Sequence, residues 1–496
     1  MEIQFSYSTL FTFLCFLFVI RKLLSKKSHK SLPPGPRKLP LIGNLHQIGS
    51  LPHHSFKNMA KKYGPIMHLQ LGQLSYVIVT SKELAKEVMK THDVIFANRP
   101  KLFAGDTFLY NSTDVVFAPY GSYWRQLRKI CTLELLSIKR VRTFRRVREE
   151  EVFAFVKHVS ENELGSAVNL PEQLYRLTNT IVARAAFGWK TKNVEKVLSI
   201  LGYVVKLAGG LTIADLYPSL EFIRVINGAK AEAEKVRKDL DTMLDTIINE
   251  HLEKKVGPTE QVEEDFVDVL LRIQKENDFE IPLTLDNIKA VILDMFIGGT
   301  ETTAMTIEWA MAEMVKNPKT LKKAQEEVRR VYGNKGYVDE SELHQLTYMA
   351  AVIRETLRLH PPGPFLMPRE SSEICELNGY KLPPKTKLMV HVWAIATDPE
   401  YWNEPEVFQP ERFIDSSIDY RGGNFEYMPF GAGRRICPGV SFAAAVLDLV
   451  LANLLYHFDW KLPNGKSNEE LDMTETFISA VRLKNDLCLV PTAYRP

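Results

Sequence analysis

The chain has 496 residues, 45% of them hydrophobic and 25% charged, with 63 Lys plus Arg against 60 Asp plus Glu and a formal charge of +3. These proportions are ordinary for a globular protein and exclude a disordered chain, a collagen-like chain and a polytopic membrane protein. So small a basic excess also argues against a dedicated nucleic-acid binder. Length alone suggests about three domains, and there is ample chain to bury a core and enclose a cofactor. The cysteines, Cys15, Cys131, Cys375, Cys437 and Cys488, are odd in number and none falls in a C-x-x-C pair. That disfavours a disulfide framework or a structural zinc site and fits a reducing compartment.

Ile3 to Ile20 is uncharged and rich in Phe and Leu. As a helix it spans roughly 27 Å, about the apolar thickness of an endoplasmic reticulum bilayer. Arg21, Lys22, Lys26, Lys27 and Lys30 follow it, so the positive-inside rule leaves the bulk of the chain on the cytosolic side. A cleaved signal peptide is the weaker alternative, since it wants basic residues before the apolar run and small residues after it. Leu32-Pro33-Pro34-Gly35-Pro36 reads as a stiff, extended spacer. The expected layout is an anchor over 1–20, a basic stretch and proline-rich hinge over 21–38, and one large domain over 39–496.

Val77 to Thr80 reads as a strand, and Ser81 to Leu84 as the start of a helix. Helical patterns dominate from there to Leu359, interrupted by a polar loop over Lys254 to Glu264 that contains Gly257-Pro258. Thr284 to Lys316 has helical periodicity and stops before Pro318. Beyond Leu359 come proline turns and short strands such as Lys387 to Trp393, then a second helical stretch over Val440 to Tyr456. The fold class expected is mainly α with a small β part.

The segment Phe430-Gly-Ala-Gly-Arg-Arg-Ile-Cys437-Pro-Gly439 sets one cysteine between glycines and beside Arg434 and Arg435, just before an apolar helix. Glycines permit close backbone approach, while a helix N-terminus and nearby cations lower a thiol pKa. Such a thiolate suits metal ligation or nucleophilic attack; a structural cysteine is the plainer reading. Glu355 and Arg358 are one turn apart on an otherwise apolar helix, where unpaired charges are unfavourable to bury. Gly298 and Gly299 fall in mid-helix, where each glycine is about 1 kcal/mol worse than alanine. Something therefore passes close to that backbone. Thr302, just beyond, can bond back to the carbonyl one turn earlier and distort the helix. Trp124 and Arg128 share one helix face.

Together these segments resemble the cytochrome P-450 family. Phe430, Gly433, Arg435, Cys437 and Gly439 match its F-x-x-G-x-R-x-C-x-G signature without a gap. Glu355 to Arg358 matches E-x-x-R, and Pro410 to Phe413 matches P-E-R-F. Gly298 to Thr303 matches A-G-x-[D/E]-T-T, with Gly298 where alanine is commoner, and Trp124 to Arg128 matches W-x-x-x-R. The motifs fall in family order across the whole chain, which argues for one domain rather than three.

The resemblance implies the mainly α cytochrome P-450 fold and haem b as cofactor. Cys437 would be the axial ligand of the haem iron. Trp124, Arg128, Arg369 and Arg435 would meet the haem propionates, with Phe430 and Gly439 completing the cofactor loop. Glu355, Arg358 and Arg412 would form a structural network. Glu301 and Thr302 would be the proton-delivery pair of dioxygen chemistry. Electrons would come from NADPH through a membrane-bound reductase with an acidic face, docking on Arg125, Lys129 and Arg434 with Arg140 and Arg142 nearby. By family position the substrate pocket is lined by Phe103 to Val116, Ile297, Gly298, Phe365, Leu366, Phe477 and Ile478. Asp294, two turns before Thr302 on the same helix, could pair with an amine, which keeps a basic alkaloid in play.

Phe117 to Gly121, Phe425 to Gly439 and Leu455 to Pro463 are most similar to the plant microsomal group that hydroxylates terpenoids and alkaloids. His391 stands where that group usually has asparagine. The activity implied is insertion of one dioxygen atom into a small, neutral, apolar substrate, with a casbene-type diterpene favoured. The alternatives are an alkaloid hydroxylase, a haem-thiolate isomerase or dehydratase that uses no dioxygen, and a non-enzymatic haem carrier. Glu301-Thr302 speaks against the last two.

Overall fold

The computed structural model describes residues 32–188, 194–208, 212–220, 229–253, 264–277 and 280–494. The expected anchor at Ile3 to Ile20, the basic stretch behind it and nearly all of the loop over Lys254 to Glu264 lie outside the described residues.

The proline segment is seated on the domain. Pro33 is buried, the Pro34 carbonyl accepts from the His68 amide at 2.8 Å, and a Cβ on Gly35 would lie 2.0 Å from the His68 carbonyl oxygen. The backbone can pass this close only where no side chain intervenes. Packing thus begins some residues before 39.

Helix α1 (Pro52–Tyr63) opens on a proline and stops at Gly64, whose φ is 95°. Strands β1 (Ile66–Leu71) and β2 (Leu74–Val79) pair antiparallel from Ile66 opposite Val79 to Leu71 opposite Leu74. Ser81 then caps a short helix, Lys82–Lys86, its hydroxyl accepting from the Leu84 amide. Four longer helices surround the site: α2 (Ser122–Lys129), α3 (Leu170–Phe187), α4 (Leu285–Lys316) and α5 (Thr347–Leu359). Strand β3 (Arg369–Glu370) pairs antiparallel with β4 (Lys387–Val390), which runs parallel to β2 with Val390 opposite Val79. Helix α6 (Val440–His457) and the hairpin of β5 (Glu475–Phe477) and β6 (Val481–Leu483) follow.

The strand expected over Lys387 to Trp393 ends at Val390, and Val392–Ala396 is a helical turn. Every residue from Leu388 to Ala396 is buried, and a run buried on all sides carries no periodicity to separate strand from helix.

Helix α4 is the central element. At its start the Thr284 hydroxyl accepts from the Asn287 amide while the Asn287 side chain accepts from the Thr284 amide, a reciprocal cap. Helix α3 lies along it, with the Thr178 hydroxyl donating to the Thr300 carbonyl at 3.0 Å. A Cβ on Gly299 would come within 2.9 Å of Val182, so Gly299 is required by the approach of α3. Gly298 has no neighbour within 4 Å of that position; it faces open space. Among the described residues α6 is the one helix long and apolar enough to cross a membrane, and 61% of it is buried inside the protein. It is a core helix.

Glu355 and Arg358 are fully buried and bonded twice, each at 2.8 Å. Arg412 Nε reaches Glu355 Oε1 at 2.9 Å. Arg358 also donates to the carbonyls of Ala396, Pro405 and Val407, so the trio clamps the 396–412 segment onto α5. The Tyr427 hydroxyl donates to the Arg354 carbonyl at 2.7 Å, tying the approach to the cysteine loop to the same helix. Glu355→Ala would leave two guanidiniums facing each other without their carboxylate. A loss of about 3–5 kcal/mol is expected, to be measured by denaturant unfolding of the purified protein, with Arg358→Met less harmful than Arg358→Ala.

Candidate active site

A cavity of about 330 Å³ opens between α4, α6, the cysteine loop and the chain from Pro362 to Arg369. A larger one, about 750 Å³, lies elsewhere, against Arg142, Arg354 and Asp448; no cysteine lines it, and size does not mark the chemistry here.

On one wall of the smaller cavity stands Cys437. Its amide donates to the Phe430 carbonyl at 2.9 Å, closing a loop in which Gly431 and Gly433 have φ of 73° and 70°. A Cβ on Gly433 would sit 2.2 Å from the Met89 carbonyl oxygen. The thiol is open to the cavity yet far beneath the protein surface. Burial raises its pKa, and the opposing pull of the Gly439 amide and of Arg128 is smaller. In the protein alone, desolvation thus works against the thiolate that the local motif favours. A bound metal ion supplies the missing positive charge.

Around the rest of the cavity stand Arg99, Arg128, Arg369 and Arg435. Burial holds all four guanidiniums below the usual arginine range, Arg435 down to about 9, with mutual repulsion adding to the effect at Arg99 and Arg435. Asp93 meets Arg369 at 3.3 Å, and the other nearby carboxylate is Asp114. Arg435 donates to the carbonyls of Ala97, Val115 and Ala118, and Arg99 to those of Val116, Met367 and Pro368. So much desolvated positive charge beside an apolar slot calls for anionic groups on the ligand.

Arg99 is the residue that sequence reading missed. It follows the apolar Ile95-Phe96-Ala97, a weak sign of a charge carried inward. Trp124 stands behind the cluster rather than in the cavity wall: its indole N–H donates to the Val115 carbonyl at 2.9 Å and its ring lies 4.1 Å from the Arg435 guanidinium.

Thr302 faces the cavity and its hydroxyl donates to the Gly298 carbonyl at 2.6 Å. This is the expected back-bond, but α4 runs through it without a break, so the expected distortion of the helix is absent. Glu301 is turned away from the cavity toward Tyr175 of α3 and Arg482 of β6, and burial raises its pKa. One residue along a helix is about 100° of rotation, which separates the two members of the expected pair.

Of the expected pocket residues, Val116, Gly298, Phe365 and Leu366 line the cavity. Phe365 and Leu366 also border a smaller void that Phe477 lines. Ile478 is 48% exposed, Phe103 packs with Phe108, and Ile297 packs against the core. Asp294 does not reach the cavity: its carboxyl accepts from the Val115 amide at 2.8 Å. His391 is fully buried with both ring nitrogens unpartnered, and burial holds its pKa well below the usual value. It lies against Phe365, ring centres 4.4 Å apart, behind the cavity wall. Arg125, Lys129 and Arg434 are exposed, Arg434 beside Asp93. Arg140 is committed to the Glu264 carbonyl.

A cavity lined by one thiol, apolar side chains and four desolvated guanidiniums fits an apolar group that carries a metal and anionic substituents, the donor set of a haem-thiolate protein. The comparisons with known proteins agree. The family model described as Cytochrome P450 matches residues 33–489, and the chain belongs to the cytochrome P450 family, whose members are haem-containing monooxygenases. It is 52% identical to Cytochrome P450 71D10 of Glycine max over 100% of this chain and 98% of that protein. It is 50% identical to premnaspirodiene oxygenase of Hyoscyamus muticus over 99% of each, and 48% identical to tabersonine 16-hydroxylase 2 of Catharanthus roseus over 98% of each. A zebra fish cytochrome P450 solved with abiraterone superimposes with a TM-score of 0.76 at 24% identity, over 90% of this chain and 100% of that one, which confirms the fold.

Arg99 is expected to give a haem carboxylate one charge-assisted partner, worth about 1.5–3 kcal/mol, which Arg99→Leu would remove. Haem transfer to apomyoglobin should then be about 10- to 100-fold faster than from the unaltered protein.

Proposed function

We propose that the chain is an NADPH- and dioxygen-dependent monooxygenase that oxidises a neutral, apolar plant specialised metabolite, a terpenoid of the casbene type in the first instance. The observation that carries the substrate class is the cavity wall. Cys437 and the four arginines of this lining go to the haem; of the expected pocket residues that also line it, Val116, Phe365 and Leu366 are apolar, and no carboxylate is among the lining residues. Apolar surface removed from water gains about 25 cal/mol per Å², whereas a protonated amine would find nothing there to offset its desolvation. The relatives act on terpenoids and on alkaloids; with Asp294 turned to a backbone amide, the alkaloid reading loses its counter-ion.

Cys437 would hold haem iron from one side, and Arg99, Arg128, Arg369 and Arg435 its carboxylates. When bound, the haem supplies dioxygen activation. What the chain adds is a dry, shaped slot and, at Thr302, one hydroxyl able to hold a proton on the cavity side of α4. Its own proton is parked on the Gly298 carbonyl, leaving its lone pairs free to accept. Glu301, kept closer to the protonated form by burial, is the acid one residue behind it. A hydroxyl at this position supports dioxygen chemistry over an isomerase or dehydratase.

Members of this family need a redox partner. The proposal assigns a membrane-bound NADPH reductase, docking on the exposed Arg125, Lys129 and Arg434. The uncharged run Ile3 to Ile20 with its basic flank supports a single-pass anchor in the endoplasmic reticulum with the domain on the cytosolic side. The test is product analysis from membranes holding this protein and a reductase, offered NADPH and a panel of neutral terpenes and protonated alkaloids. Oxygenated terpenes are expected; conversion of the alkaloids alone would overturn the substrate class. In the same assay Thr302→Ala should lower product formation roughly 10- to 100-fold and release peroxide. Unchanged coupling of NADPH to product would remove Thr302 from proton delivery.

A further inference from the structure

The loop over Cys437's cavity is held from two sides. On the arginine side, the Val115 carbonyl accepts from Trp124 Nε1 at 2.9 Å and from Arg435 at 3.2 Å, and the Val116 carbonyl from Arg99 Nε at 3.0 Å. On the opposite side two buried carboxyl groups take the amides of the same stretch. Asp294 of α4 accepts from the Val115 amide at 2.8 Å, and Asp114 from those of Val116 at 3.0 Å and Phe117 at 2.8 Å. Asp114 is 0% exposed and Asp294 8%, the two carboxyl groups interact directly, and Asp114 Oδ1 has no other hydrogen-bond partner. The chain enters this loop through Tyr110, Asn111 and Ser112, with φ of 50°, 61° and 57°. Three consecutive non-glycine residues in the left-handed region persist only where the surroundings enforce them.

Two carboxylates in contact and out of water cannot both be ionised, so the pair titrates as a unit and retains one proton between them. Burial raises both pKa values, Asp114 to about 6 and Asp294 well above the usual range, so the pair keeps a proton to higher pH than a solvated carboxyl does. The groups facing the pair from neighbouring elements are the cations Arg99 and Arg435, whose charges reach Asp114, and the neutral Tyr123 and Cys131; Arg128 lies beyond Cys131.

We propose that Asp114 and Asp294 are positioning residues, a one-proton latch that holds residues 114–117 on α4 and so sets the wall of the substrate cavity, and that loss of the shared proton releases it. The sign follows from the direction of the shifts. A carboxyl whose folded pKa is raised contributes stability that is complete only below its unfolded pKa, about 4, and is lost as pH rises from there through the folded pKa, so the latch is tightest in acid and weakens progressively up to the upper ionisation of the pair. An asparagine at 294 keeps one oxygen for the Val115 amide and one N–H for Asp114 but has no proton to lose.

The test uses the haem-loaded protein without substrate, NADPH or reductase, so its outcome is independent of the proposed reaction. Amide hydrogen exchange over residues 113–118 is followed against pH and corrected for the intrinsic rate. In the unaltered protein, protection should fall as pH rises from mildly acid values and level off above the upper ionisation of the pair. In Asp294→Asn it should stay within about threefold of the unaltered protein's acid value and fall less with pH; in Asp294→Ala it should be reduced about tenfold or more at every pH. Infrared difference spectra between the unaltered protein and Asp294→Asn give a second measure, which stands even if the alanine variant does not fold. A carboxylic-acid carbonyl band should be present at neutral pH and vanish at alkaline pH. Identical pH profiles in the unaltered and asparagine proteins, or no acid band at neutral pH, would overturn the latch.

Discussion

Everything at the centre of this molecule answers to one electrostatic imbalance: four guanidiniums gathered in a low-dielectric slot with few carboxylates to meet them. Repulsion between buried cations is strongly unfavourable, and the protein contains it by giving Arg435 and Arg99 the carbonyls of Ala97, Val115, Val116, Ala118, Met367 and Pro368. Those carbonyls come from two separated stretches of chain. The arginines thus organise the backbone around the cavity, and the backbone in turn holds them aimed at the place where an anionic cofactor sits.

The same logic, with sign reversed, governs the thiol. Desolvation pushes the pKa of the lone buried sulfur up, and the Gly439 amide and Arg128 pull it back by less. Thiol and guanidiniums are each poorly satisfied alone and both satisfied by one ligand of the right shape. Affinity for haem is accordingly built into the fold as a set of unmet demands, and the Glu355–Arg358–Arg412 clamp keeps the surrounding segments from relaxing to meet them another way.

How much of this is legible in the sequence depends on how local each cause is. The Phe430–Gly439 loop can be read directly because Gly433 is required by the approach of the Met89 carbonyl and Gly431 and Gly433 by their positive φ. The Glu355–Arg358 pair and the cap at Thr284 are equally local. Arg99 is not: its meaning comes from Arg369 and Arg435, more than 250 positions away. Asp294 was legible as an unusual acid on an apolar helix, but whether it pointed at ligand or at loop depended on where Val115 falls. Glu301 is set off from Thr302 by a single step of helical rotation, toward Tyr175 and Arg482, and among the described residues His391 has no hydrogen-bond partner that its position could have announced. The strand at Lys387 was overextended because burial on every side erases periodicity.

The pairing of β2 with β4 carries a consequence for biosynthesis. Tyr76 to Val79 lie beside Lys387 to Val390, so the sheet that supports Arg369 joins positions about 300 residues apart. Closing so long a loop is slow. A chain emerging from the ribosome displays Arg99 and Arg128 long before Arg369, Arg435 and Cys437 exist, and α4, synthesised in between, has no α6 to lie against. Until the last third arrives, the nascent protein exposes a half-built slot of apolar side chains and unmatched cations, the kind of surface that chaperones bind. Yield in a heterologous host should therefore be governed by chaperone and haem supply during the closing seconds of translation rather than by the stability of the finished fold.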